Sequence, residues 1–281
     1  MSKEKKKTEA GFVPDGITTF PYSATDIDEK LSFKTSANVL CNFMKEFGYL
    51  KAIIKDMAIK PRYVEERIDY LGIPDRTSIA FPMTCFCDIP LAKINSHTEE
   101  YGKFGIALNK NYCIKKDVQP ILYLNKNSRL KGEFSDCFKR LFESSNLQEE
   151  FRYLPNTLLD ILLYSKPIDG EKTYSNQETK HYLFKDECEW RYIPSDLGTM
   201  PLILEPEQCT EKGRFVFSSA LSKKKKTWFR FETKDVEFII VPDENHALKM
   251  ISEIRMMRKS ARDKDLLISK IDISEKLFSN F

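Results

Sequence analysis

The chain has 281 residues, with 45 Lys+Arg against 42 Asp+Glu for a formal net charge of +3, 41% apolar residues, 20 Phe and 12 Tyr. That apolar and aromatic content at near-zero net charge excludes a disordered chain, and only 10 Gly and 13 Pro exclude a collagen-like or Gly-rich fibre. A balance so close to neutral gives no global pull toward nucleic acid or a membrane surface.

In chain order, residues 1–28 are polar and broken by Pro14, Gly16 and Pro21, which predicts a tail leading into a single α+β domain over 29–281. From Asn38 to Ile59 apolar residues recur at helical spacing, with Gly48 either ending one helix or absorbed within it, until Pro61 stops the run. Ser78 to Ile89 reads as a strand ended by Pro90; a short helix is expected over Leu91–Tyr101 and a strand over Phe104–Leu108. Pro120–Leu124 is a further strand, followed by a helical insertion around 129–165. The polar stretch 165–181, with Pro167, Gly170 and Asn176, reads as a loop or lid. Strands are then expected at Glu189–Ile193, Arg214–Phe217, Thr227–Phe231 and Val236–Val241, before an amphipathic helix over Ala247–Met257. Helices at both ends with strands between favour α+β, with a central, mostly antiparallel sheet flanked by helices.

The charged start Met-Ser-Lys-Glu-Lys-Lys-Lys is not followed by an apolar segment, so no signal peptide is expected. No run approaches the ~18 apolar residues of a membrane span. Seven cysteines, at 41, 85, 87, 113, 137, 188 and 209, form no regular disulfide framework. These features together predict a cytoplasmic, reduced protein.

Several constellations could carry chemistry. Cys85-x-Cys87 with His97 has thiolate and imidazole ligand types but a spacing shorter than structural zinc sites use, so two core cysteines are favoured and no metal is expected. Asp88, at a strand end before Pro90, either caps the next helix or faces a cleft. His97 is one of three histidines, with His181 and His246, and the glycine of Tyr101-Gly102 would let backbone approach a ligand closely. On a strand, Glu187, Glu189 and Arg191 would share one face. Paired carboxylates of this kind bind ribose hydroxyls or stabilise an oxocarbenium ion, while the plain alternative is a solvated Glu189–Arg191 pair. Lys223–Lys226 before Thr227-Trp228-Phe229-Arg230-Phe231 could grip a nucleic-acid backbone, though an exposed lysine loop is favoured, and no base-reading module is recognisable.

The string Phe81-Pro-Met-Thr-Cys-Phe-Cys-Asp-Ile-Pro-Leu91, with His97, Tyr101-Gly102, Gly105–Lys110, Pro120–Tyr123 and Glu189-Trp190-Arg191, resembles the AbiGi family over roughly residues 30–255. Its members are bacterial abortive-infection proteins described as antitoxins of phage-resistance toxin–antitoxin pairs. The resemblance therefore implies a protein partner, a cognate toxin or other defence component. A fainter resemblance runs to ADP-ribosyltransferase-like proteins. Ser32-Phe33-Lys34-Thr35 before Asn38-Val39-Leu40 falls where that group opens with a His-containing strand, so Ser32 replaces the histidine that contacts the NAD ribose. This second resemblance implies an ADP-ribosyltransferase-like fold and NAD as cofactor, with Glu189 the acid that stabilises the oxocarbenium ion. Asp88 and His97 would join Glu189 in the catalytic cleft, and Ser32, Tyr101, Glu187 and Arg191 would bind the cofactor. An enzyme of that kind would be toxic alone, whereas an antitoxin would protect against its partner.

Overall fold

The computed structural model describes residues 37–73, 76–90, 98, 100–143, 154–173 and 178–275. Strand β1 (Val39–Met44) opens the described chain and is followed directly by helix α1 (Phe47–Asp56). The expected helix over 38–59 is therefore half strand. Apolar residues at 39, 40, 43 and 44 suit a helix face as well as a strand with both faces covered, and β1 is buried on both sides, which erases the alternation that would mark it. Met57 takes a left-handed conformation at the end of α1 and turns the chain into β2 (Ala58–Ile59), and β3 (Arg62–Arg67) follows.

The ten-residue β4 (Ser78–Cys87) is the longest strand among the described residues and runs where the sequence predicts it. Next come β5 (Phe104–Asn109), α2 (Lys110–Lys115), capped by the Asn109 side chain on Tyr112 N–H, β6 (Gln119–Pro120) and β7 (Leu122–Leu124). Helices α3 (Arg129–Glu143) and α4 (Leu154–Leu163) fall in the expected helical stretch. The anticipated loop over 165–181 is instead β8 (Ser165–Pro167) and a ribbon of β9 (Gly170–Thr173) with β10 (Thr179–Tyr182). Strand β11 (Glu189–Tyr192) follows.

Arg214–Phe217, read as a strand for its aromatic and β-branched residues, lies inside α5 (Glu211–Leu221). The Thr210 hydroxyl accepts from Gly213 N–H and starts that helix, so a cap overrides local strand propensity. Of Thr227–Phe231 only β12 (Phe229–Arg230) is strand. The chain closes with β13 (Val236–Val241), α6 (Glu244–Met256), α7 (Ala261–Ile268) and β14 (Ile271–Ile273).

The main sheet runs β14-β13-β5-β1-β4-β11-β6, with β3 also on β4; only the β13–β14 pairing is parallel. The fold is thus α+β around a mostly antiparallel sheet. One face carries the largest apolar cluster, in which Leu40, Ile106, Leu108 and Ile239 pack with Leu50 and Ile54 of α1 and Met250 and Ile254 of α6. Ile79, Phe81 and Met83 pack on the opposite side with Phe134 and Phe138 of α3 and Leu162 and Leu163 of α4.

Strand β4 changes partners halfway along. Ser78–Met83 pair with β3, Thr84–Cys87 with β11, and Cys87 with Cys41 of β1. Asp88 N–H reaches Cys188 on the β11 side and Ala80 C=O reaches Leu204, whereas Cys85 C=O accepts from the Asn42 side chain. Backbone groups of one strand alternate between its edges, so β3 and β1 occupy the same edge of β4 and part near Cys85.

Candidate functional site: a cleft where the sheet divides

The division of β4 opens a cavity of about 1020 Å³. Met83, Thr84, Cys85, Phe86 and Cys87 all line it. Successive strand side chains point to opposite faces, so the cavity wraps the free edge of β4 and reaches both sides of the sheet.

At one end lies a buried network of charges. Cys188 is left-handed (φ 44°), which separates Glu187, the last residue of a short 3₁₀ turn, from Glu189, the first residue of β11. The two acids therefore do not share a strand face, yet both carboxylates converge on Lys166 of β8, at 2.7 Å from Glu187 Oε2 and 3.1 Å from Glu189 Oε2. Lys172 of β9 lies 3.1 Å from Glu187 Oε1 and 3.0 Å from the Tyr101 hydroxyl, and also pairs with Glu100. Tyr101 donates its hydroxyl to Glu187 Oε1. Arg191 is wholly buried; its Nε is 2.7 Å from Glu189 Oε1, one terminal nitrogen is 3.1 Å from Glu66 Oε1, and the other donates to Leu163 C=O at 2.7 Å. The predicted solvated Glu189–Arg191 pair is in fact buried on the core side of β11, with Glu189 only 7% exposed.

Four carboxylates thus face three cations in low dielectric, and the balance sets the protonation states. Burial alone would raise the Glu189 carboxyl, but Arg191 and Lys166 outweigh it and hold it down at about 2. Glu187 is lowered as well, burial being overcome by Lys166 and Tyr101. Burial disfavours charge on Lys166 too, yet Glu66, Glu189 and Glu187 keep it firmly protonated. The Tyr101 hydroxyl is pushed far up by burial and by Glu187, so it stays a donor. Burial, with Glu189 next, pushes the Cys85 thiol well up, so it is a neutral core sulfur. No group of three or more His, Cys, Asp or Glu that could hold a metal occurs among the described residues.

Of the residues singled out from sequence, Tyr101, Glu187, Glu189 and Arg191 come together here. Asp88 does not line the cavity; it accepts from Ala37 N–H at 2.9 Å and pairs with Lys110, whose ammonium sits 4.9 Å from the Trp190 ring centroid. Ser32 and His97 lie outside the described residues. Gly102 (φ 111°) brings backbone close to the Met44 carbonyl at the end of β1. In the lysine run, Lys226 pairs with Asp196 at 2.8 Å and Lys224 reaches Thr199, while Phe229 and Phe231 turn into the core. Lys166 and Lys172, on β8 and β9, complete the network from the polar stretch whose sequence predicts a loop or lid.

Fold and site define a class: an α+β protein built on a divided antiparallel sheet, with a charge-compensated cleft at the division. Residues 57–242 match the family model AbiGi, described as an abortive phage resistance protein and antitoxin. The chain belongs to the AbiGi family. It is 34% identical over 245 residues to the abortive phage resistance protein AbiGi of Lactococcus lactis subsp. cremoris, covering 79% of this chain and 98% of that protein. No solved structure matches, so the expected ADP-ribosyltransferase-like fold has no structural neighbour behind it. No helix among the described residues is long and apolar enough to cross a membrane.

Proposed function

We propose that this chain acts in phage defence as the antitoxin of an abortive-infection pair, restraining a cognate toxin by binding it rather than by turning over a substrate. The family description supports the setting. The observation that carries binding over catalysis is the saturation of the acids. All four carboxylate oxygens of Glu187 and Glu189 are engaged by Tyr101, Lys166, Lys172 or Arg191. An oxocarbenium-stabilising carboxylate has to turn its charge on a developing cation, and at Glu189 two buried cations already hold that charge.

Co-expression with a candidate cognate toxin tests the reading. Growth should be normal when this chain is produced alone, arrested by the toxin alone and restored by the two together, with the pair co-purifying as a complex. Growth arrest by this chain alone, or rescue without a complex, would overturn it. Glu189→Gln is a poor discriminator between antitoxin and enzyme, because it strands Arg191 and destabilises the fold under either reading. Tyr101→Phe keeps the ring and its packing while removing one donor to Glu187, and under the antitoxin reading it leaves rescue intact.

A further inference from the structure

The outer part of the cleft carries features that the ion-pair network does not use. Thr84 lines the cavity, is 4% exposed, and its hydroxyl has no hydrogen-bond partner. Buried hydroxyls are almost always paired, so an orphan facing a cavity points to a group that arrives from outside. Thr84 stands where β1 and β3 part. The residues flanking that gap are Lys45, just after β1, and Arg62, the first residue of β3; both are exposed and line the cavity. Neither has an ion-pair partner among the described residues, whereas the neighbouring Lys60 is held by Asp56 at 2.8 Å. Two rings at the mouth, Tyr49 and Phe215, are 57% and 72% exposed.

We propose that the gap between β1 and β3 binds a phosphorylated, hydroxyl-bearing small molecule of nucleotide size. Lys45 and Arg62 meet its anionic group, Tyr49 and Phe215 offer faces to a flat ring, and Thr84 pairs with a polar group that enters the sheet. Arginine and lysine unpaired at one mouth select an anion, and a guanidinium matches phosphate oxygens in bidentate fashion. The whole cleft, inner end included, is at the upper end of small-ligand sites, so its outer part is not confined to the size of a lone phosphate. The chemistry is shared by nucleotides and sugar phosphates, which differ in the aromatic base. This site is independent of the antitoxin reading, and its test contains no toxin.

Calorimetric titration of the purified full-length chain with ADP, adenosine, ribose 5-phosphate and inorganic phosphate decides it. ADP should bind at least about tenfold more tightly than adenosine, and more weakly as salt rises. Thr84→Val should weaken ADP about tenfold while leaving the melting temperature of the free protein unchanged or higher, because it deletes only an unpaired hydroxyl. Arg62→Gln should weaken ADP by a similar or larger factor and flatten the salt dependence. Ribose 5-phosphate binding as tightly as ADP would keep the site and assign it to sugar phosphates that carry no aromatic base. Failure of ADP and ribose 5-phosphate to bind, or Thr84→Val and Arg62→Gln binding like wild type, would overturn the proposal.

Discussion

The two ends of the cleft treat charge in opposite ways. At the inner end Glu66, Glu100, Glu187 and Glu189 are interlocked with Lys166, Lys172 and Arg191, with Glu187, Glu189 and Arg191 buried and the rest partly so. At the outer end Lys45 and Arg62 are exposed and unmatched by any acid among the described residues. Removing one member of a buried network leaves a partner charged in low dielectric, so the inner end is tied to folding. An exposed cation costs the fold nothing to keep and nothing to lose, so the outer end is free to serve recognition. A cluster of titratable residues in a cleft is thus not by itself a catalytic signature; what matters is whether any charge is left to act.

The largest effect that follows belongs to Glu189→Gln. It strands the buried Arg191 between Glu66 and a neutral amide and should cost about 3–5 kcal/mol. For a domain of this size that lowers the melting temperature by roughly 6–20 °C, measurable by calorimetry. Replacing the interacting set together, as Glu189→Gln with Arg191→Met and Lys166→Met, should cost less than the sum of the single changes. A strictly additive outcome would show that the inner end is not a coupled network. Gly102→Ala comes next, at about 1–3 kcal/mol, because a Cβ there meets the Met44 carbonyl and the residue holds a positive φ. It should also loosen Tyr101, one residue away, from Glu187, seen as faster amide exchange around residues 100–104. Unchanged exchange there would separate the glycine from the network.

The sequence revealed the site unevenly, for physical reasons. Strand β4 is legible because Ile79, Phe81, Thr84 and Phe86 suit a pleated surface and Pro90 closes the run shortly after its end, and Glu189 and Arg191 are legible as a pair because their period of two survives on a real strand. Glu187 was expected on the same face, but the left-handed Cys188 puts it elsewhere and only tertiary folding brings its carboxylate back. Lys166 and Lys172 could not be seen, since their acid and tyrosine partners lie between 15 and 72 residues away along the chain and their strands have three and four residues among polar neighbours. The cleft itself was invisible. It depends on β1 and β3 taking one edge of β4, and β1 had been read as helix because a strand buried on both faces has no polar face to alternate with.

Acid should separate the two ends more gently than mutation. The Glu189 carboxyl is depressed from 4.5 to about 2 in the folded state, so the stability it contributes is complete above about pH 4.5 and is lost as pH falls toward 2. Glu187, also lowered, acts in the same direction. Denaturant midpoints should therefore drop below pH 4.5 in the wild type, with a shallower drop in the triple variant, which lacks the Glu189 carboxylate and the two cations that depress it. An equal drop in both would assign acid sensitivity to carboxylates elsewhere.

The smallest expected effect tests the outer end. Lys45→Ala and Phe215→Ser remove exposed side chains at the mouth of the cleft and should change stability by no more than about 0.5 kcal/mol. Neither should alter the acid transition, because neither touches the buried carboxylates. If Lys45→Ala cost as much as Gly102→Ala, the lysine would be carrying structural load and the contrast between the two ends would collapse. If both variants fold like the wild type, neither the unpaired cation nor the 72% exposed ring is needed by the fold, and both are free to serve the recognition assigned to the outer end.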